Sequence, residues 1–83
     1  MNHHPPPPRV RLTFPADLVP RPVIGELARD FGVLANIRRA DVSDDVGWIV
    51  CELDGAADRV AEAIAWMERI GVDVDRLEHP LES

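Results

Sequence analysis

Apolar and polar positions follow two rhythms between residues 9 and 77. From Arg9 to Phe14 they alternate, with Val10, Leu12 and Phe14 on one side and Arg9, Arg11 and Thr13 on the other. That period of two predicts a strand with one buried face. Val46 to Leu53 repeats it, placing Ile49, Cys51 and Leu53 opposite Trp48, Val50 and Glu52. Two further strands are predicted at about Val33 to Val42 and at Val72 to Leu77, the latter with Val72 and Val74 inward, and Ser43 to Asp45 form the turn between strands two and three.

The second rhythm is helical. Ile24, Leu27, Ala28 and Phe31 fall at i, i+3, i+4 and i+7, which predicts one apolar helix face. Pro22 suits the first turn of that helix, where its missing N–H costs nothing, and Gly32 suits its C-terminal cap. A second helix is predicted over about Ala56 to Ile70, with Val60, Ala63, Ile64 and Met67 inward, Trp66 on its flank, Asp54 as its cap and Gly71 as its stop. The order is β-α-β-β-α-β, a split βαβ pair. With right-handed crossovers it predicts an α+β, ferredoxin-like fold: a four-stranded antiparallel sheet in order 4-1-3-2 with both helices on one face.

The other sheet face must meet water or a partner. Alternation assigns it Arg9, Arg11, Thr13, Trp48, Val50, Glu52, Asp73 and Asp75, and also Leu34, Asn36 and Arg38 provided no bulge resets strand two. Asp73 and Asp75 are expected beside Arg9 and Arg11 as cross-strand charge pairs. Trp48 and Val50, with Leu34 near them, are expected to form an apolar patch, which makes Trp48 and Val50 interface candidates.

Composition narrows the chemistry. The chain has 83 residues and a formal net charge of −6, so it has room for one modest core and lacks the basic face of a nucleic-acid binder. No apolar run approaches the roughly 20 residues of a membrane span, and no apolar leader opens the chain, so membrane insertion is not expected and a cytoplasmic location is. Residues 1–8, MNHHPPPP, are expected to be a disordered proline-rich tail, 9–77 the folded domain and 78–83 a C-terminal tail. The one cysteine, Cys51, excludes an intrachain disulfide and reads as a small core hydrophobe. Met1-Asn2-His3 has the nitrogen donors of a Cu(II) or Ni(II) site, but incidental composition explains it as well, and His79 reads as surface. Asp41, Asp44 and Asp45 lack the glycine spacing of a calcium loop. With no phosphate loop, nucleophile elbow or HExxH helix, neither cofactor nor enzymatic activity is expected.

An ordered series of short segments resembles the NIL domain family. Val33-Leu34-Ala35-Asn36-Ile37-Arg38 is similar to its Asn-Ile-Leu signature, with Arg38 in place of the leucine. Arg11-Leu12-Thr13-Phe14, Ala28-Arg29-Asp30-Phe31-Gly32-Val33, Gly47-Trp48, Glu52-Leu53-Asp54-Gly55, Ala63-Ile64-Ala65-Trp66-Met67 and Gly71-Val72-Asp73-Val74 follow in order, so the resemblance covers about Arg9 to Leu77. It implies an ACT-like regulatory domain of the kind found at the C-terminus of methionine-importer ATPases and beside ferredoxin-type domains. Here the domain is expected to stand free. By the same resemblance it would be a homodimer sensing methionine or a related sulfur amino acid, with Asn36 at the ligand site between paired domains. Leu34 and Ile37 would flank that site, though alternation sets them on opposite faces. Arg38 either clamps a carboxylate or is a solvated strand residue. The rival expectation is an interaction module, without a small ligand, that docks on a partner enzyme or transporter through the Trp48 face or the strand-two edge. A third reading, sulfur transfer by Cys51, needs an exposed thiol.

Overall fold

The computed structural model describes residues 7–43 and 45–77. Its strands are β1 (Arg9–Pro15), β2 (Leu34–Val42), β3 (Val46–Asp54) and β4 (Asp73–Leu77), and its two main helices are α1 (Val23–Glu26, widening into a π turn over Leu27–Phe31) and α2 (Ala57–Ile70). The sheet runs β2-β3-β1-β4 with every neighbouring pair antiparallel, which is the predicted 4-1-3-2 order read from the other edge. Residues 1–6 of the tail expected at 1–8, the tail expected at 78–83, the copper-type motif at Met1-Asn2-His3, His79 and Asp44 lie outside the described residues. Pro7 and Pro8 lie inside, half-buried, and the Pro8 carbonyl accepts a 3.0 Å hydrogen bond from the Leu53 N–H.

Strand alternation builds the core. Val10, Leu12 and Phe14 of β1 and Cys51 and Leu53 of β3 point under the helices, where Val23, Leu27, Val60, Ala63, Ile64 and Met67 meet them. Leu12, Leu27, Leu53 and Met67 are fully buried, each worth about 1.5–3 kcal/mol of transfer free energy. Gly71 ends α2 at φ +109°, a left-handed conformation that costs a side-chain-bearing residue about 1–2 kcal/mol.

Four local expectations need correction. The first helix buries Val23 and Leu27, while Ala28 is exposed and Ile24 and Phe31 are half-buried. Its π turn holds an extra residue per turn and rotates the expected stripe off the core. Asp54 does not cap α2: the cap position is Ala56, without a side-chain hydrogen bond. A bulge falls between Ile37 and Arg39 in β2, so Arg38 leaves the ladder and Arg39 pairs with Val50. Finally, Arg9 reaches Glu52 at 2.8 Å rather than an aspartate; only Arg11 meets Asp75, at 3.9 Å, and Asp73 lies opposite Thr13.

Candidate functional site

β2 is an edge strand of nine residues, and from Asn36 to Val42 every residue on it is exposed. One side of its backbone is paired to β3; the other offers unpaired N–H and C=O groups, the feature that lets a sheet accept another strand. The residues singled out from the sequence lie along it. Asn36 sits opposite Glu52 on the open sheet face, Ile37 sits opposite Cys51 on the helix side, and Leu34 sits opposite Asp54 where the strand begins. Leu34 and Ile37 are 60% and 48% exposed.

The open face differs from expectation in one respect. Trp48, opposite Thr13 and Asp41, and Val50, opposite Arg11 and Arg39, lie side by side and are half-buried. Asn36 stands in the next row. Leu34, however, lies six positions along the strands from the Trp48 row, about 20 Å at strand spacing, and does not join the patch. The exposed large apolar side chains are instead Leu34, Ile37, Val42 and Val46, which follow β2 and its hairpin.

Two concavities lie on the helix side, and neither includes Asn36. A cleft of about 630 Å³ runs between the start of α2 and the sheet end, lined by Pro8, Leu53, Gly55, Ala57, Val60 and Arg76 among others. A slot of about 210 Å³ lies at the hairpin end of β2 and β3. Phe14, Val19, Val42, Gly47 and Ile49 form its apolar wall and Arg21 its charged rim. The rim is held in place by its own backbone: the Val19 N–H donates to the Pro15 and Ala16 carbonyls and the Arg21 N–H to Leu18.

Arg21 binds Glu26 through two hydrogen bonds of 2.8 and 2.9 Å and lies over the Trp66 ring at 5.6 Å. That doubly bonded pair holds the Glu26 carboxyl below its usual range, chiefly through the hydrogen bonds. Trp66 in turn packs on Phe31 at a centroid distance of 5.4 Å, the flank contact expected of it. The slot residues were not singled out in the sequence. The signals for them are Pro15, Pro20 and Pro22, which bracket a stiff loop, and Gly47 inside a strand, which marks a place kept free of side chain.

Cys51 is fully buried beneath the helices, and desolvation pushes its thiol up to about 11. A thiol in that state is protonated and shielded at neutral pH, which removes the conditions for sulfur transfer.

Comparison with known proteins agrees with this geometry. The chain is 36% identical over 76 residues to the methionine import ATP-binding protein MetN of Chromohalobacter salexigens, covering 87% of this chain and 22% of that protein. It is 35% identical over 69 residues to the MetN of Streptococcus thermophilus, covering 78% of this chain and 19% of that one. It therefore spans about a fifth of the length of these curated relatives. Among solved structures it superposes on the C-terminal domain of an ABC transporter ATP-binding protein from Enterococcus faecalis with a TM-score of 0.77 at 19% identity, covering 92% of this chain and 89% of that one, a likeness of fold. The NIL domain model matches residues 8–76, from Pro8 into β4, and the chain belongs to the NIL domain family.

Proposed function

We propose that this chain is a regulatory domain that binds free methionine or a closely related sulfur amino acid where two copies meet along β2. The observation that carries the reading is the 36% identity, over 87% of this chain, with a methionine import ATP-binding protein. The exposed β2 edge supports it: an edge strand with apolar Leu34, Ile37 and Val42 is a surface that a second copy can cover. Antiparallel pairing of two such edges about a two-fold axis beside Arg38 sets Asn36 of one copy near the Val42 end of the other. The Asn36 amide offers donors and an acceptor to an amino acid's charged ends, Leu34 and Ile37 give the site apolar walls, and Arg38, released from the ladder by the bulge, supplies a cation. Trp48 and Val50 extend the contact across the open face. The domain acts by binding, in the cytoplasm and without catalysis of its own, and its output is a change in a transporter or enzyme that it touches.

A titration of L-methionine into the wild type and into Asn36→Ala tests the reading. Heat with the wild type and a large loss with the variant are expected. No heat with either at millimolar ligand removes it. A second reading is favoured by the position of β2 at the sheet edge, paired to β3 on one side only: the outer edge accepts a strand from a partner of sulfur or iron–sulfur metabolism, with no small ligand. A methionine-independent complex abolished by a charge at Ile37 would select that reading over the first.

A further inference from the structure

The sheet has a second free edge, on the side away from β2. Among the described strands β4 pairs with β1 alone, so its outer side offers unpaired backbone N–H and C=O groups as β2 does. The cleft of about 630 Å³ has Arg76 of β4 in its wall. We propose that this edge and the cleft together form a peptide-docking surface. An extended segment of a partner protein adds to β4 as a fifth strand and seats an apolar side chain in the cleft. An acidic side chain of the segment, two positions along on the same face, meets Arg76. The proposal lies beyond the amino-acid-sensing reading and does not depend on it.

Register places the parts. Val74 and Arg76 stand opposite Leu12 and Val10, whose side chains lie under the helices, so both project to the helix side of β4. A strand laid along β4 sends every second side chain to that same side. The cleft is there to receive it: Leu53 and Val60 back it with buried aliphatic carbon, and Pro8, Gly55, Ala57 and Ala61 line it. Ala57 and Ala61 are exposed and one helical turn apart on α2, and their single methyl groups keep open a space that longer side chains would fill. The volume falls in the range of about 300–1,000 Å³ of sites that enclose a ligand, so the cleft has room for a whole side chain. Backbone pairing at an edge strand with a pocket for alternate side chains is a general mode of peptide recognition.

Charge complementarity sets the second feature of the partner. Arg9, Arg11, Arg21, Arg29 and Arg59 each have an acidic partner, whereas Arg76 has none among the described residues. An acidic side chain opposite it in a paired strand is a favourable cross-strand neighbour. Asp54 also lines the cleft and disfavours a run of acidic residues, so the segment that fits is apolar-x-acidic and not polyacidic.

The test titrates two acetylated and amidated heptapeptides, TVLTETV and its lysine counterpart TVLTKTV, into the protein. The readouts are calorimetry, methyl chemical shifts of Leu53, Val60 and Val74, and amide exchange along β4. Ala61→Phe fills the cleft from an exposed helix position, and Arg76→Glu reverses the charge at an exposed strand position. Circular dichroism and sedimentation check that both variants keep the fold and the association state of the wild type. The expected result is binding of the glutamate peptide with shifted cleft methyls and slowed exchange at β4. Each variant, and the lysine peptide on the wild type, should bind roughly tenfold more weakly or worse. Arg76→Glu should recover the lysine peptide, and Ile37→Lys, on the opposite edge, should leave the binding unchanged. No binding of the glutamate peptide at millimolar concentration, or equal affinity for the two peptides, overturns the proposal. Binding abolished by Ile37→Lys but untouched by Ala61→Phe and Arg76→Glu moves the peptide to β2 and overturns it as well.

Discussion

β1 and β2 belong to one sheet and are built alike from alternating residues, yet they live in opposite environments. β1 is paired on both edges, by β3 and β4, and keeps Val10 and Leu12 wholly buried beneath the helices. β2 is paired on one edge only, carries Leu34, Ile37 and Val42 out in solvent, and is broken by a bulge at its middle. Burial stabilises the fold in proportion to apolar area removed from water, so β1 carries stability and β2 contributes little to it. A nine-residue strand that displays aliphatic side chains is the surface that the proposed pairing would cover. On the proposed reading, the division of labour is between a middle that folds and an edge that binds.

The sharpest way to break that comparison is a pair of truncations. Leu12→Ala should cost about 2–5 kcal/mol, because it empties a fully buried site, and in a domain of this size that is a large part of total stability. Ile37→Ser on β2 should move the urea midpoint of the monomer by less than about 0.5 kcal/mol, as for surface positions generally. Equal losses from the two would mean that the edge is structural and would end the distinction.

A smaller effect is expected at the end of α2. Gly71→Ala should destabilise by about 1–2 kcal/mol through its left-handed backbone. There is room for the added methyl group, whose closest neighbour is Leu18 Cδ1 at 3.5 Å, so the cost is conformational and not steric.

Cys51 tests the covered side by pH. Its thiol ionises at about 11 when folded and near 8.5–9 when unfolded, so the unfolded state releases its proton first as pH rises. The stabilisation is therefore complete below about pH 8.5 and is lost progressively towards pH 11, which unfolding curves at successive pH values would trace. At neutral pH the native thiol should resist alkylation until urea unfolds the chain, and prompt labelling of the folded protein would show that the helix layer opens readily.

The smallest effect is expected on the open face. Arg9 makes its 2.8 Å pair with Glu52 while its Nε is buried without a hydrogen-bond partner among the described residues, and the two offset each other. Arg9→Met should stay within about 0.5–1 kcal/mol in thermal unfolding, the range of partly exposed pairs.

The fold was legible because its signals are periodic. Val10-Leu12-Phe14 and Ile49-Cys51-Leu53 need only alternation to find the core side, and Val60, Ala63, Ile64 and Met67 need only a helical turn. What escaped was local geometry that changes phase without changing composition. The bulge at Arg38 shifts one residue and hands its place to Arg39, and the π turn over Leu27–Phe31 exchanges Ala28 for Val23 in the core. Neither leaves a mark in the hydrophobic pattern that a single chain would disclose. The site was legible only by resemblance: Asn36, Leu34, Ile37 and Arg38 are ordinary strand residues until a family signature points to them. The slot is assembled from the end of β1 with the loop that follows it and from the hairpin, two stretches far apart in sequence, so no spacing rule links Phe14 and Val19 to Val42 and Ile49.

The division between folding middle and binding edge is tested most directly by sedimentation equilibrium of the wild type and Ile37→Lys, with and without L-methionine. A lysine at Ile37 puts a charge on the exposed edge of β2 and blunts its pairing. The account predicts a wild type that associates to a dimer, more tightly with methionine, and a variant that stays monomeric with an unchanged unfolding midpoint. A wild type that remains monomeric at high concentration with saturating methionine, or a variant that dimerises as the wild type does, would contradict it.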